Sequence, residues 1–131
     1  MPDPTGGPAV TGVDTVDAAG RALDKLVTEI DVVIRELESA RTRALELQTQ
    51  RAEGRSWFDI VSHEERPLIV EQISSAMAAL ASAGGRWRRT QAHALQDEDV
   101  SINRIAELYG VTRQRVSALL RGRENGGPPA D

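Results

Sequence analysis

Ser101-Ile-Asn-Arg-Ile-Ala-Glu-Leu-Tyr-Gly-Val-Thr-Arg-Gln-Arg-Val-Ser-Ala-Leu-Leu-Arg121 is the stretch that decides the fold. Counted from Ile102, apolar residues fall at positions 4, 8, 10, 15 and 18, with Ala106 at 5 and Gly110 at 9. That spacing predicts two short helices meeting at an angle, with Ile105, Tyr109, Val111, Val116 and Leu119 converging on one small core. Ala106 lets the helices cross closely, and Gly110 can take the left-handed conformation of a sharp turn. Ser101 is placed to cap the first helix, with Val100 and Ile105 at the hydrophobic-staple positions. Thr112 caps the second helix, where Val111 and Val116 repeat the staple.

Packed this way, the pair is a helix-turn-helix, and Arg113, Gln114 and Ser117 face outward from the start of its second helix. A helix so presented suits the major groove of DNA. Arg113 can donate to two acceptors on guanine and Gln114 can pair in two places with adenine. Ser117 adds a contact deeper in the groove. Thr112 can reach a phosphate through its hydroxyl or its backbone N–H, and Arg115 and Arg121 lie toward the DNA backbone, with Arg104 a weaker candidate. The alternative is an ordinary helical hairpin that uses the same packing without touching DNA. Residues 101–121 resemble the helix-turn-helix of bacterial transcription regulators. The Ile-Ala-Glu-Leu-Tyr-Gly-Val-Thr-Arg-Gln-Arg-Val run is especially similar to the promoter-reading domain of primary sigma factors. The resemblance implies a three-helix DNA-binding domain whose last helix reads bases, and it does not extend to the N-terminal half.

The bulk composition is compatible with that expectation. The chain has 131 residues, 40% of them apolar, enough for one domain plus an extension or for two small units. Trp57, Phe58, Trp87 and Tyr109 are its only aromatics, so the core must be aliphatic, as in helical assemblies. With no cysteine, disulfides and thiolate metal sites are excluded. No apolar run approaches the ~20 residues of a membrane span, and Met1-Pro-Asp-Pro does not read as a signal peptide, so a cytoplasmic, nucleoid-associated location is expected. The formal net charge of −4 argues against a DNA binder until its distribution is considered. Residues 1–85 carry 8 basic and 14 acidic groups, whereas residues 86–123 carry 8 basic and 4 acidic groups. Because screening confines fields to about 8–10 Å at physiological salt, the basic segment governs phosphate attraction.

Everything periodic in this chain is helical, which predicts an all-α fold: a long N-terminal helix with coiled-coil-like heptads, short helices, and a C-terminal three-helix domain. Residues 1–13 and 122–131 are rich in Gly and Pro and are expected to be disordered, leaving 14–85 as a helical oligomerisation or interaction region and 86–121 as the DNA-binding domain. A first helix is expected from Asp14, its cap, to about Glu53. Val16, Ala19, Leu23, Leu26, Ile30, Val33, Leu37, Ala40, Ala44 and Leu47 form a heptad seam along it. A lone helix cannot cover such a seam, which points to a homodimer through Leu23, Leu26, Ile30, Val33, Leu37 and Leu47, with Glu36 meeting Arg41 across a parallel pair. Val27 and Ile34 widen the apolar face, so a helix packed within a monomeric bundle is the alternative. Gly54 should end this helix, and Ser56 should cap a short one with Asp59 at its third position. Pro67 should open a third helix that Gly84-Gly85 stops near Ala83. A fourth helix, from Arg86 to about Gln96, should lead into the motif.

Two further clusters bear on chemistry. Arg86-Trp87-Arg88-Arg89 offers Arg86, Arg88 and Arg89 to DNA phosphates, with Trp87 in the core of the domain. His63-Glu64-Glu65 has no second histidine at helical spacing and no thiolate, so neither a metal site nor a catalytic one is expected, and no cofactor is implied. Glu64 and Glu65 read as surface groups at a helix end. The expected function is sequence-specific binding of double-stranded DNA by a dimeric transcriptional regulator rather than an enzyme. The rival readings are an adaptor that binds RNA polymerase, a sigma factor or another regulator through the long helix, and a nucleoid-type architectural protein.

Overall fold

A computed structural model of the chain describes residues 17–122. It contains α1 (Ala18–Ala52), α2 (Trp57–Ser62), α3 (Ile69–Asp97), α4 (Ile102–Tyr109) and α5 (Arg113–Arg121), with no strand among the described residues. The fold is all-α, with the long N-terminal helix that the periodicity predicts. The Asp14 cap, Val16 and, apart from Gly122, both terminal segments fall outside the described residues. The described residues divide into two compact units, 27–81 and 17–26 with 82–122.

Within Val27–Ala81, the descending part of α3 pairs antiparallel with α1. Arg43 donates to the Glu65 carbonyl at 2.6 Å, and Gln72 donates to Glu36 at 2.8 Å. Glu29 and Ala79 line one further depression together. The seven-residue step from Arg43 back to Glu36 is thus met by the seven-residue step from Glu65 forward to Gln72. Val33, Ala40 and Ala76 are buried where the helices meet, and the small Ala76 allows their close approach. Arg43 also donates to Gln72 Oε1 at 3.2 Å, tying the bridge together on one flank.

The seam predicted on α1 is therefore divided. Val33 and Ala40 are buried and Leu26 and Leu47 half-buried, whereas Leu23, Ile30 and Leu37 are exposed along with Val27 and Ile34. Glu36, assigned from the sequence to a second chain, is engaged by Gln72 of its own chain.

Local signals at the connections read well. Gly54 has φ 98° and donates to the Arg51 carbonyl, ending α1. Ser56 caps α2 by accepting from the Asp59 N–H at 3.1 Å. Arg55 donates to the Asp59 carboxylate at 2.7 Å and holds that carboxyl below its ordinary value. Ile60 on α2 is almost fully enclosed, which anchors this short helix.

Two boundaries depart from expectation. Pro67 lies ahead of α3 rather than in its first turn, after a cis Arg66–Pro67 peptide. The start is set at Ile69 by two carboxylates: Glu64 accepts from the Ile69 N–H and Glu71 from the Leu68 N–H, each at 2.9 Å. Glu64 is thus a helix cap rather than a bare surface group, and its charge is also favourable beside the positive end of the helix.

More consequentially, Gly84-Gly85 does not stop the third helix. α3 runs through both glycines without a break, so the expected third and fourth helices are one. A glycine ends a helix when it turns left-handed, and neither of these does. A Cβ added at Gly84 would meet nothing within 4 Å, and one at Gly85 would meet only Arg89 Nη1 at 3.7 Å. Gly84→Ala and Gly85→Ala should therefore each raise stability, by about 0.5–1 kcal/mol, through helix propensity alone. Thermal denaturation followed by circular dichroism checks this, and a lower midpoint in both variants would mean that the chain does break there.

α3 ends where Asp99 takes φ 68°, with Val100 N–H donating to the Leu95 carbonyl at 3.0 Å and Asp99 N–H to Gln96 at 2.9 Å. This left-handed cap turns the chain so that Leu95 and Val100 both pack beneath α4.

Candidate nucleic-acid interface

α4 and α5 are built from local devices that the sequence displays. Ser101 (φ −71°, ψ 158°) accepts from the Arg104 N–H at 3.1 Å, and Thr112 (φ −76°, ψ 158°) accepts from the Arg115 N–H at 3.0 Å. Between them Gly110 sits at φ 67°, ψ 34°. Its N–H donates to Glu107 at 3.2 Å, and the Val111 N–H reaches back to Ala106 at 3.1 Å. These bonds satisfy the last carbonyls of α4 and aim the chain into α5.

Ile105 and Val116 are fully buried and Ala106 nearly so, with Leu95, Val100, Ile102, Tyr109 and Leu120 packed around them. Two expected core members are placed differently. Val111 is 37% exposed, and Leu119 is half-buried; both line an open cleft rather than the enclosed cluster. Leu120 takes the place assigned to Leu119. Residue 120 lies one helical turn from Val116, on the same face, so its side chain is the one directed inward.

With Val116 locked inward, the opposite edge of α5 is presented outward. Arg113, Gln114, Ser117 and Arg121 line one shallow concave surface; Arg113, Gln114 and Arg121 are exposed and Ser117 half-buried. At 100° per residue these four fall within about a quarter-turn of one another. Among the described residues, neither Arg113 nor Gln114 spends its side chain in a hydrogen bond. Thr112 uses its hydroxyl oxygen for capping, which leaves the hydroxyl proton as a donor.

The basic groups expected at phosphates sort into four places. Arg88, Arg89 and Arg115 gather around the cleft floored by Tyr109, Val111, Val116 and Leu119. Arg121 joins the outward edge of α5. Arg104 instead donates to Glu107 at 2.8 Å on α4, an exposed pair within one helix. Arg86 is half-buried and lines neither surface, and Trp87 beside it is half-buried and outside the enclosed Ile105–Val116 cluster, not in the core as expected.

No protein-family model, no curated protein and no solved structure matches this chain.

Sequence reasoning missed the contacts that fix Arg88 at this cleft. Tyr109 donates its hydroxyl to Gln91 Oε1 at 2.7 Å, and the Arg88 guanidinium lies 4.1 Å above the Tyr109 ring. Burial pushes the Tyr109 phenol up, and Arg88 opposes that shift. A tyrosine in a small core does need a partner for its hydroxyl, which is the one signal the sequence offered. The partner, eighteen residues away on α3, was not readable. Arg88 is thereby held over the ring, which lowers the side-chain entropy it would lose on meeting an anion.

His63 lies against its neighbour Asp59, Glu64 caps α3, and the Glu65 carbonyl is engaged by Arg43. Among the described residues no group of His, Asp or Glu is arranged to hold a metal, and no helix is long and apolar enough to cross a membrane.

Proposed function

We propose that this chain binds double-stranded DNA in a sequence-specific manner, by laying α5 in the major groove, and acts as a dimeric transcriptional regulator. One observation carries the reading: Arg113, Gln114, Ser117 and Arg121 share an exposed concave edge on a helix whose Val116 is completely enclosed. Arg113 and Gln114 have the donor and acceptor geometry to read guanine and adenine edges. Arg115, Arg88 and the positive end of α5 supply phosphate contacts that set register without reading sequence.

Salt-dependent binding separates this from its rivals. Anisotropy titrations of labelled duplexes at several salt concentrations should show a preferred sequence that survives physiological ionic strength. In the same assay Arg115→Ala should weaken every duplex alike and reduce the slope of log K against log salt by about 1 per site. Binding without preference would make the protein an architectural one. Absence of binding at low salt would leave the adaptor reading.

A further inference from the structure

The hairpin of α1 and α3 in Val27–Ala81 leaves one flank uncovered, and its composition is unusual. On the flank that carries the bridge, Glu36, Ser39 and Arg43 meet Gln72. On the other flank α1 presents Val27, Ile30, Ile34 and Leu37, and α3 presents Val70, Ile73, Met77 and Leu80. Both runs have the same 3-4-3 spacing. Because the helices are antiparallel in the register set by Glu36–Gln72 and Arg43–Glu65, Val27 lies level with Leu80, Ile30 with Met77, Ile34 with Ile73, and Leu37 with Val70. Seven of the eight are substantially exposed: Val27 51%, Ile30 39%, Ile34 49%, Leu37 38%, Val70 71%, Ile73 37% and Met77 41%. Leu80 is half-buried.

We infer that this flank is the interface with a second copy of the same chain, forming a four-helix bundle of two hairpins. Three observations select that occupant. The exposed apolar area of these side chains is on the order of 600 Å². That is at the upper limit for a patch on a monomer and close to the roughly 800 Å² per partner of a stable complex. The four levels are self-complementary: a two-fold axis along the helices sets each level against the same level of the copy, giving four layers of four apolar side chains. Charge is compatible with the arrangement. No layer contains an ionisable group. Asp31, Arg35 and Glu38 border the α1 side with one net negative charge, whereas the α3 border of Ser74, Ala78 and Ala81 is uncharged. Setting α1 over the copy's α3 places the charged border beside the uncharged one, whereas α1 over α1 would bring the two net-negative borders together. The residues that join the copies are thus Ile34, Ile73 and Met77 with their levels, while Val33 serves the hairpin within each chain.

The inference does not depend on DNA binding, and its test contains no DNA. Sedimentation equilibrium of the full chain should give twice the 14.2 kDa of one chain. Ile34→Glu and, separately, Met77→Glu should weaken the dimer on the order of 100-fold or more, because each buries two carboxylates in an apolar layer. Both positions are exposed in a single chain, so helical content at high concentration should persist; two sites guard against one variant failing to fold. Ser75→Arg, on the bridged flank, should remain dimeric. A monomeric wild type at tens of micromolar, or a folded Ile34→Glu and Met77→Glu that both remain dimers, overturns the proposal.

Discussion

Ile105→Ala is expected to lower stability by about 2–5 kcal/mol, the range for truncating a fully buried branched side chain. Ile105 has no exposed surface and touches the elements that hold α5 in place: Val116 on that helix and the Leu95–Val100 turn at the end of α3. The unit is small, so little of its surroundings can collapse into the space left behind. The loss is also a substantial share of the 5–15 kcal/mol that separates folded from unfolded chains. Leu108→Ala is the matched control, because Leu108 sits on the same helix but is 54% exposed; it should change stability by no more than about 0.5 kcal/mol. Urea denaturation of both variants checks the pair. Equal losses would mean that α4 does not bury the face described.

The second large effect concerns recognition. Arg113→Ala should cost about 1–3 kcal/mol, roughly 5- to 150-fold in affinity, at the preferred duplex. It should do so by relaxing the identity of one base pair. Arg113 is exposed on the outer edge of α5 and contributes nothing to the Ile105–Val116 cluster, so the melting temperature should stay near that of the wild type. Gln114→Ala should behave in the same way at a neighbouring base pair. The contrast with Arg115→Ala is the informative part, since a phosphate contact weakens all sequences alike whereas a base contact changes the ranking among them. If Arg113→Ala and Arg115→Ala produced the same uniform loss, α5 would be a phosphate-binding helix and nothing more.

What the sequence made legible was whatever is local. Ser56, Ser101 and Thr112 cap helices through bonds that span three residues, and Gly54 and Gly110 need only their own φ. The same holds for the outward edge of α5, which follows from Val116 being inward. Quantities that depend on a distant neighbour were not legible. Gly84-Gly85 is a stop signal or a tolerated helical pair according to what packs nearby, and the buried Ala83 next to it shows that the helix is held there by its surroundings. Periodicity on α1 revealed that the apolar face was too wide for one partner. It could not divide that face, because the division is made by the register of α3, fixed through Gln72 and Arg43. Leu119 and Leu120 are equally apolar, and only the direction of the core distinguishes them. Tyr109–Gln91 joins two helices that no spacing rule connects.

The most direct measurement is selection of bound duplexes from a randomised pool by the full chain at physiological salt, repeated with Arg113→Ala. The account predicts that the wild type enriches a defined motif, and that in the variant a single guanine of that motif loses its preference while the rest is kept. A pool that emerges unenriched, or an identical motif from both proteins, would contradict it.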